Sequence, residues 1–430
     1  MESFMLGYNM LLNTIGYGAL PFAWSAAGKD PTFFRGRLGR YDVKATIEGA
    51  PRIWFHAASV GEVTGAVPTL RALRKRLSDA SMCLTVGTPQ GFQFAGAQLA
   101  ADRVTILPFP LDFVWCLKEA MATIRPDLYV TFESEFWPNL FRLLRERNVP
   151  TLLLNGRLAR QSAARYRPFK PLFQPIFAQF RRLAMHSEED RSNAIGMGAP
   201  PARTLALGSS KYDGLAAKAG DAAGSRWRDI LNVSEGVPVV IAGSLRRSEC
   251  IELLKVFEAL RTAEPRAVGI FAPRHMDRIP EMVEWLKERG IEHQLLSRLE
   301  ADGKGRSSPI VLVDRIGILF DLYALGDLIF CGGTFEPIGG HNILEPSAWG
   351  KPVFYGPSLQ KVFYEHSTLQ HFGGSFLAQN PEDLLQQWKH WIPRLFDLRF
   401  HGGRAREALM KLGGVAARHV ELIVLALSGE

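Results

Sequence analysis

Asp327-Leu-Ile-Phe-Cys-Gly-Gly333-Thr-Phe-Glu-Pro-Ile-Gly-Gly-His341-Asn-Ile-Leu-Glu345 is the stretch on which the fold turns. A short apolar run, Leu328–Cys331, passes straight into a glycine-rich loop and then into helix-forming sequence. Such a loop lets the backbone approach an anion closely, and the helix that follows presents N–H groups to phosphate. Glu345, one turn into that helix, is placed to accept two ribose hydroxyls, and Asn342 offers a donor and an acceptor. Strand, glycine loop and helix together are the building unit of a parallel α/β sheet, whose ligands bind beyond the carboxyl ends of the strands.

The unit recurs along the chain. Apolar runs at Ile53–Ala57, Met82–Val86, Val104–Leu107, Leu128–Phe132, Thr151–Leu154, Leu183–His186 and Arg203–Leu207 alternate with helix-length segments such as Gly65–Leu77 and Asn139–Arg147. A second series runs through Val237–Ala242, Val268–Ala272, Ile310–Val313, Leu328–Cys331 and Pro352–Tyr355. Near-continuous apolar strands separated by helices predict sheets covered on both faces. Between the series, residues 216–225 (AAKAGDAAGS) are small and polar and read as a linker. The expected class is α/β, with two doubly wound Rossmann-like domains, 31–215 and 226–430, facing across a cleft. Gly403–Leu427 reads as one helix able to pack back on the first domain.

The 430 residues are 47% apolar and 22% charged, as in a folded globular protein. A mean hydropathy of -0.01 excludes a polytopic membrane protein. The net charge of +8 is unevenly placed. Residues 1–215 hold 26 Lys and Arg against 17 Asp and Glu, and the remainder hold 25 against 26. The densest basic run is Arg157, Arg160, Arg165, Arg167, Lys170, Arg181 and Arg182. Such an excess suits nucleic acid, an anionic membrane or an acidic substrate. No RNP, KH, helix-turn-helix or zinc-finger pattern accompanies it, so nucleic acid is not expected as a partner. The four cysteines are scattered without metal-ligand spacing, and no metal site is expected. There is neither a P-loop nor a G-x-G-x-x-G after a strand.

No charged residue occurs from Ser3 to Gly28, a length that can cross a bilayer, which takes about 20 residues. Asn9, Asn13, Gly7, Gly16, Gly18 and Pro21 interrupt it. Residues 1–30 are expected to form an apolar membrane anchor or monotopic insertion. Its basic flank, Lys29, Arg35, Arg37, Arg40 and Lys44, stays cytoplasmic by the positive-inside rule. A buried first helix and a cleaved signal are the other readings, and the lack of a basic segment before the apolar part weighs against the last.

Three further constellations stand at strand ends. In Trp54-Phe-His-Ala-Ala-Ser-Val-Gly-Glu62, Glu62 falls near a helix N-terminus, where it serves as a general base or merely complements the helix dipole. In Phe132-Glu-Ser-Glu135-Phe-Trp-Pro-Asn139, two carboxylates one residue apart follow a strand; one points into a cleft, or both attend a helix that opens at Pro138. In Ala272-Pro-Arg-His-Met-Asp-Arg278, Arg274 is able to grip a phosphate and His275 to bond it, with a solvated loop as the alternative.

These residues resemble the bacterial 3-deoxy-D-manno-octulosonic acid (Kdo) transferases of lipopolysaccharide assembly. The likeness runs through Arg35-Gly-Arg-Leu-Gly39, His56-Ala-Ala-Ser-Val-Gly-Glu62, Glu133-Ser-Glu-Phe-Trp-Pro-Asn139, Asn155-Gly-Arg-Leu158, Gly208-Ser-Ser-Lys-Tyr-Asp213, Pro273-Arg-His275 and Gly339-Gly-His-Asn-Ile-Leu-Glu345. It implies a GT-B glycosyltransferase that takes CMP-Kdo as donor and a lipid A precursor (lipid IVA) as acceptor. It also implies work at the cytoplasmic face of the inner membrane, against anionic phospholipid, with inversion and neither a fixed metal nor a cofactor. Carried over, Glu62 is the base, and Glu133 and Lys211 stabilise the transition state. Pro273, Arg274, Gly317, Ile318, Leu319, Asn342, Ile343, Leu344 and Glu345 hold CMP. The chain departs from the family pattern at Gly243-Ser-Leu-Arg-Arg-Ser-Glu249-Cys, at Gly317-Ile-Leu319 and at Val86-Gly-Thr-Pro-Gln-Gly91. A transferase of another CMP-ulosonic acid or nucleotide sugar is the alternative, and an inactive membrane-associated binding protein of the same fold is a third reading.

Overall fold

The structure, a computed structural model, describes residues 5–15, 30–41 and 49–429. The chain divides into two compact units, Met1–Asp213 with Gly413–Glu430, and Gly214–Leu412. Each is built on a seven-stranded parallel sheet.

In the first unit the strands are β1 (Arg52–Ala57), β2 (Ser81–Val86), β3 (Val104–Pro108), β4 (Leu128–Phe132), β5 (Thr151–Gly156), β6 (Phe180–Met185) and β7 (Thr204–Ala206). Their spatial order is β3-β2-β1-β4-β5-β6-β7. Successive strands run outward from β1 on one side and from β4 on the other, so the chain reverses direction between these two neighbours. At such a point the loops leaving the two strands diverge and open a crevice for a ligand. Strands β2, β4 and β5 are buried along their whole length, as a sheet covered on both faces requires. One core layer joins Trp54, Tyr129, Phe141 and Phe180; the other joins Phe55, Val63, Leu84 and Leu152. The helix Val415–Ser428 contributes Val420 and Ile423 to the second layer. It is tied to the helix Val60–Arg76 by a hydrogen bond of 3.1 Å between Thr69 Oγ1 and His419 Nδ1, both fully buried.

The second unit carries β8 (Val239–Leu245), β9 (Val268–Pro273), β10 (His293–Leu295), β11 (Ile310–Leu312), β12 (Leu328–Cys331), β13 (Val353–Tyr355) and β14 (Ser375–Leu377), in the order β10-β11-β9-β8-β12-β13-β14. Here the reversal lies between β8 and β12. The three-residue edge strands β10 and β14 escape a reading based on apolar runs, because an edge strand is too short and too exposed to show one.

Two expectations are corrected, and a third falls largely outside the described residues. Residues 216–225 are not an open linker, since the helices Leu215–Lys218 and Asp221–Ile230 occupy most of them; alanine, abundant there, is the best helix former. Gly403–Leu427 is two helices, Leu395–Leu412 and Val415–Ser428, broken where Gly414 takes φ +74. The apolar anchor at 1–30 finds no support as a spanning helix. Residues 1–4 and 16–29 lie outside the described residues, and no described helix is long and apolar enough to cross a membrane. Among the described residues, 5–15 are helical. This helix docks on the first unit, where Tyr8 Oη donates to Asp112 Oδ2 at 2.9 Å and Asn9 pairs with Asn139.

Candidate active site

In the first unit, Glu62 and Glu133 stand at the ends of β1 and β4, the two strands that flank the reversal. Glu62 lies in the first turn of the helix Val60–Arg76 and its carboxylate accepts from the Ala58 backbone N–H, so it also complements the helix start. Burial pushes its carboxyl up to about 8, and the negative charges of Glu133 and Glu135 add to the effect, whereas the Ala58 bond opposes it. Half-buried beside two further acids, it is a protonatable group poised near neutral pH.

Of the two alternatives at Glu133 and Glu135, Asp112 bears on the helix-opening one. The free amides of Asn139 and Leu140, at the start of the helix Pro138–Glu146, bond to Asp112 Oδ2 and Oδ1 at 3.0 Å each. That helix end is therefore served by a buried carboxylate from another loop, which leaves the two glutamates free of capping duty. Glu133 holds φ +59, a left-handed backbone that a glutamate adopts only when its surroundings impose it. Burial raises its carboxyl, while the charges of Arg157 and Lys211 oppose the rise. Glu135 turns the other way. Its Oε2 accepts from Trp137 Nε1 at 2.9 Å and lies 3.6 Å from His56 Nε2. Burial raises the Glu135 carboxyl, but the hydrogen bonds from His56 and Trp137 more than offset this and leave it below its ordinary value. Burial pushes His56 down, and the nearby Glu135 opposes that shift.

Lys211 is brought to this cluster by a buried brace. Ser210 N–H donates to Asn155 Oδ1 at 3.0 Å, Asn155 Nδ2 donates to Ser210 Oγ at 2.9 Å, and Ser210 Oγ donates to the Gly65 carbonyl at 2.6 Å. Gly65 is required here, because a Cβ would lie 2.7 Å from Asn155 Nδ2. The brace fastens the segment before Lys211 to the same helix that carries Glu62. Sequence reasoning quoted Asn155 and Ser210 only as parts of a resemblance; the burial of an Asn–Ser pair is visible only in the fold.

In the second unit the loops after β8 and β12 meet at a residue that sequence reading did not assign to the site. Glu249 is fully buried and both its oxygens face backbone amides. Oε2 accepts from Arg246 at 2.8 Å and Gly333 at 2.6 Å; Oε1 accepts from Thr334 at 3.0 Å and Phe335 at 2.9 Å. Burial raises this carboxyl and the four amides pull it down. It thus pins the loop after β12 to the loop after β8, on either side of the reversal. The only sequence signal was a glutamate at the start of a helix, Glu249–Arg261, a position usually taken for dipole complement.

Five amides of the glycine loop are spent within the protein rather than left for a phosphate. Gly333, Thr334 and Phe335 give theirs to Glu249, Gly339 gives its own to Ser358 Oγ, and Gly340 to the Gly333 carbonyl. The helix that follows, Glu345–Ala348, is a single turn.

The residues expected to hold CMP fall into two kinds. Ile343 and Leu344 are fully buried and Pro273 and Ile318 are buried, so they offer backbone and shape rather than exposed side chains. Arg274 and Gly317 are exposed, and Leu319 is half-buried. Asn342 Nδ2 donates to Glu345 Oε1 at 3.0 Å, and the Leu344 N–H donates to Asn342 Oδ1 at 3.2 Å, which orients the Glu345 carboxylate. Among the described residues no group of His, Cys, Asp and Glu is arranged to hold a metal ion.

A family model described as 3-deoxy-D-manno-octulosonic-acid transferase (kdotransferase) matches residues 33–214. The 3-deoxy-D-manno-octulosonic acid transferase of Haemophilus influenzae is 31% identical over 377 residues, 86% of this chain and 86% of its own length. That of Chlamydia pneumoniae is 33% identical over 311 residues, 72% of this chain and 70% of its own. A bifunctional glycosyltransferase/methyltransferase of Fusobacterium nucleatum is 32% identical over 335 residues, 78% of this chain but 51% of its own length, so the chain spans about half of that relative. Among solved structures, the UDP-GlcNAc 2-epimerase from Neisseria meningitidis gives a TM-score of 0.60 at 12% identity, covering 88% of this chain and 100% of that one. A further UDP-N-acetylglucosamine 2-epimerase gives 0.62 at 14%, with 89% and 97% covered. These last two likenesses speak for the fold alone.

Proposed function

The chain belongs to the 3-deoxy-D-manno-octulosonic acid transferase family of glycosyltransferases, and from that premise we propose that it transfers Kdo from CMP-Kdo to a lipid A precursor, with inversion, at the cytoplasmic face of the inner membrane. The observation that carries the reading is Glu62, a carboxyl raised to about 8 at the end of β1 with Glu133 and Lys211 in electrostatic reach of the same cluster.

The chemistry asks little covalent work of the protein. An acceptor hydroxyl oxygen attacks the anomeric carbon of the sugar, the bond from that carbon to the phosphate oxygen breaks, and CMP leaves with the electron pair. Glu62 takes the hydroxyl proton as attack proceeds. A single displacement of this kind inverts the anomeric centre. Lys211 and Glu133 supply fixed charge where the transition state develops its own. Arg274, the turn at Gly317–Leu319 and the Asn342–Glu345 segment hold the nucleotide of the donor.

Two features support an acceptor presented by a membrane. The helix at residues 5–15 leaves Leu6, Met10, Leu11 and Ile15 about 60% exposed, a face suited to lying in a bilayer interface rather than spanning it. In the same unit, Arg160, Arg165, Arg167 and Lys170 are exposed together with Tyr166 and Phe169, the mixture of cation and aromatic that an anionic headgroup layer favours.

The purified chain, incubated with CMP-Kdo and tetraacylated lipid A precursor, is expected to raise the lipid's mass by one or more Kdo units. No gain in mass, with a control transferase active on the same substrates, sinks this reading. A gain only with a different CMP-ulosonic acid reassigns the donor and keeps the reaction class.

A further inference from the structure

We propose that Arg246 grips the donor's phosphate, with His275 and His341 holding its guanidinium in place. The proposal rests on the CMP-Kdo reading above and adds a residue to it.

Arg246 stands at the carboxyl end of β8, beside the reversal of the second sheet, and is half-buried. Its backbone N–H is fixed by Glu249 Oε2, and the chain around it is kinked, with φ +57 at Ser244 and +46 at Arg247. Its Nε donates to His341 Nε2 at 3.0 Å, and its Nη1 lies 2.7 Å from His275 Nε2. A guanidinium carries five N–H groups in one plane. The two imidazoles take two of them and fix the plane of the fork, leaving the rest for a ligand.

The charge of this fork is not cancelled. Among the described residues Arg246 has no carboxylate partner within ion-pair distance; the nearby Glu336 takes Arg247 and Ser248 instead, and Glu249 spends its oxygens on backbone amides. Burial pushes His341 down to about 4, and the charges of Arg246, Arg274, Lys361 and His275 add to that shift. Positive charges gathered around one imidazole form a site that an anion would complement. With the amides of Gly333, Thr334, Phe335, Gly339 and Gly340 already bound, this fork is the uncancelled positive group left to meet the anion. His341 directly precedes Asn342, which orients Glu345 for the ribose, so a nucleotide whose ribose meets Glu345 carries its phosphate toward Arg246. The phosphate is also where charge grows as CMP departs, which makes a fixed arginine worth more in the transition state than in the ground state.

Calorimetric titration of the full chain and of Arg246→Gln and Arg246→Lys with CMP, cytidine and CMP-Kdo tests this. Arg246→Gln is expected to weaken CMP about 10- to 100-fold and to leave cytidine unchanged, as loss of a charge-assisted contact predicts. Arg246→Lys, which keeps the charge and loses the fork, falls between. An unchanged unfolding midpoint without ligand shows that the fold is intact. Equal CMP affinity in Arg246→Gln and the native chain overturns the proposal. So does a loss confined to CMP-Kdo, which assigns Arg246 to the sugar's carboxylate. If the native chain binds no CMP at all, the donor reading fails, and titration with inorganic phosphate decides the anion site. Phosphate bound by the native chain and lost in Arg246→Gln retains it; phosphate bound by both, or by neither, removes it.

Discussion

A single carboxyl sets the pH behaviour expected of this protein. Glu62 works as a base only when ionised, and with its carboxyl at about 8 only about a tenth of it is ionised at pH 7. Activity limited by the chemical step, read as kcat/KM, is expected to rise with pH and to level off above pH 8. Glu135→Gln removes one of the like charges that raise Glu62, and the limb then moves to lower pH; a limb that stays put says that another group sets it. Stability carries the opposite sign. A carboxyl raised on folding favours the folded state fully below its ordinary value of 4.5, and that contribution is lost as pH rises toward about 8. Glu62→Gln is therefore expected to abolish turnover yet raise the thermal midpoint at pH 9 relative to the native chain, with the gap closing toward pH 4. At this scale the sequence was legible where a glutamate follows an apolar strand and a glycine. It was silent on whether Glu133 and Glu135 cap the helix that follows, because that turns on Asp112, 27 residues from Asn139 in sequence, claiming the helix amides.

At the scale of elements, the strands on either side of the two reversals are readable as apolar runs bounded by glycine, and they deliver the site residues to the strand ends. What apolar patterning does not reveal is how loops are tied to one another. The glycine-rich loop after β12 advertises an anion site by composition, yet three of its amides are spent on Glu249. Gly332 is needed for that tie, since a Cβ there would lie 2.9 Å from Glu249 Oε2 and 2.8 Å from the Ser244 carbonyl oxygen. Glu249→Gln keeps the shape but turns an amide N–H₂ toward two backbone donors that then lack an acceptor. A loss of about 2–4 kcal/mol in unfolding free energy is expected from denaturant titration. CMP affinity should fall as well, because the substitution unfastens both Arg246 and the loop it faces. Unchanged stability together with unchanged CMP affinity would show that the Glu249 tie is not what fixes the loop.

At the scale of the whole chain, the surplus of positive charge in residues 1–215 was legible from composition alone, and the fold places its densest part on an exposed segment. Arg160, Arg165, Arg167 and Lys170 are solvent-facing across the helix Arg160–Tyr166 and the turns that follow, with Tyr166 at 42% and Phe169 at 52% exposure among them. Aromatic rings left in water beside four cations cost free energy that an anionic headgroup layer returns, each cation contributing about 1 kcal/mol near such a surface. The helix at 5–15 adds apolar area from the same unit. Reversing Arg160, Arg165, Arg167 and Lys170 to Glu together is expected to weaken sedimentation with phosphatidylglycerol vesicles by at least about a thousandfold. CMP affinity should be untouched, because none of the four belongs to the second unit. Native binding should also fall as salt shortens the reach of the charges. If the charge-reversed chain still sediments with vesicles while replacement of Leu6, Met10, Leu11 and Ile15 by Ser releases it, the apolar helix face carries the attachment alone and the basic run serves the acceptor's phosphates instead.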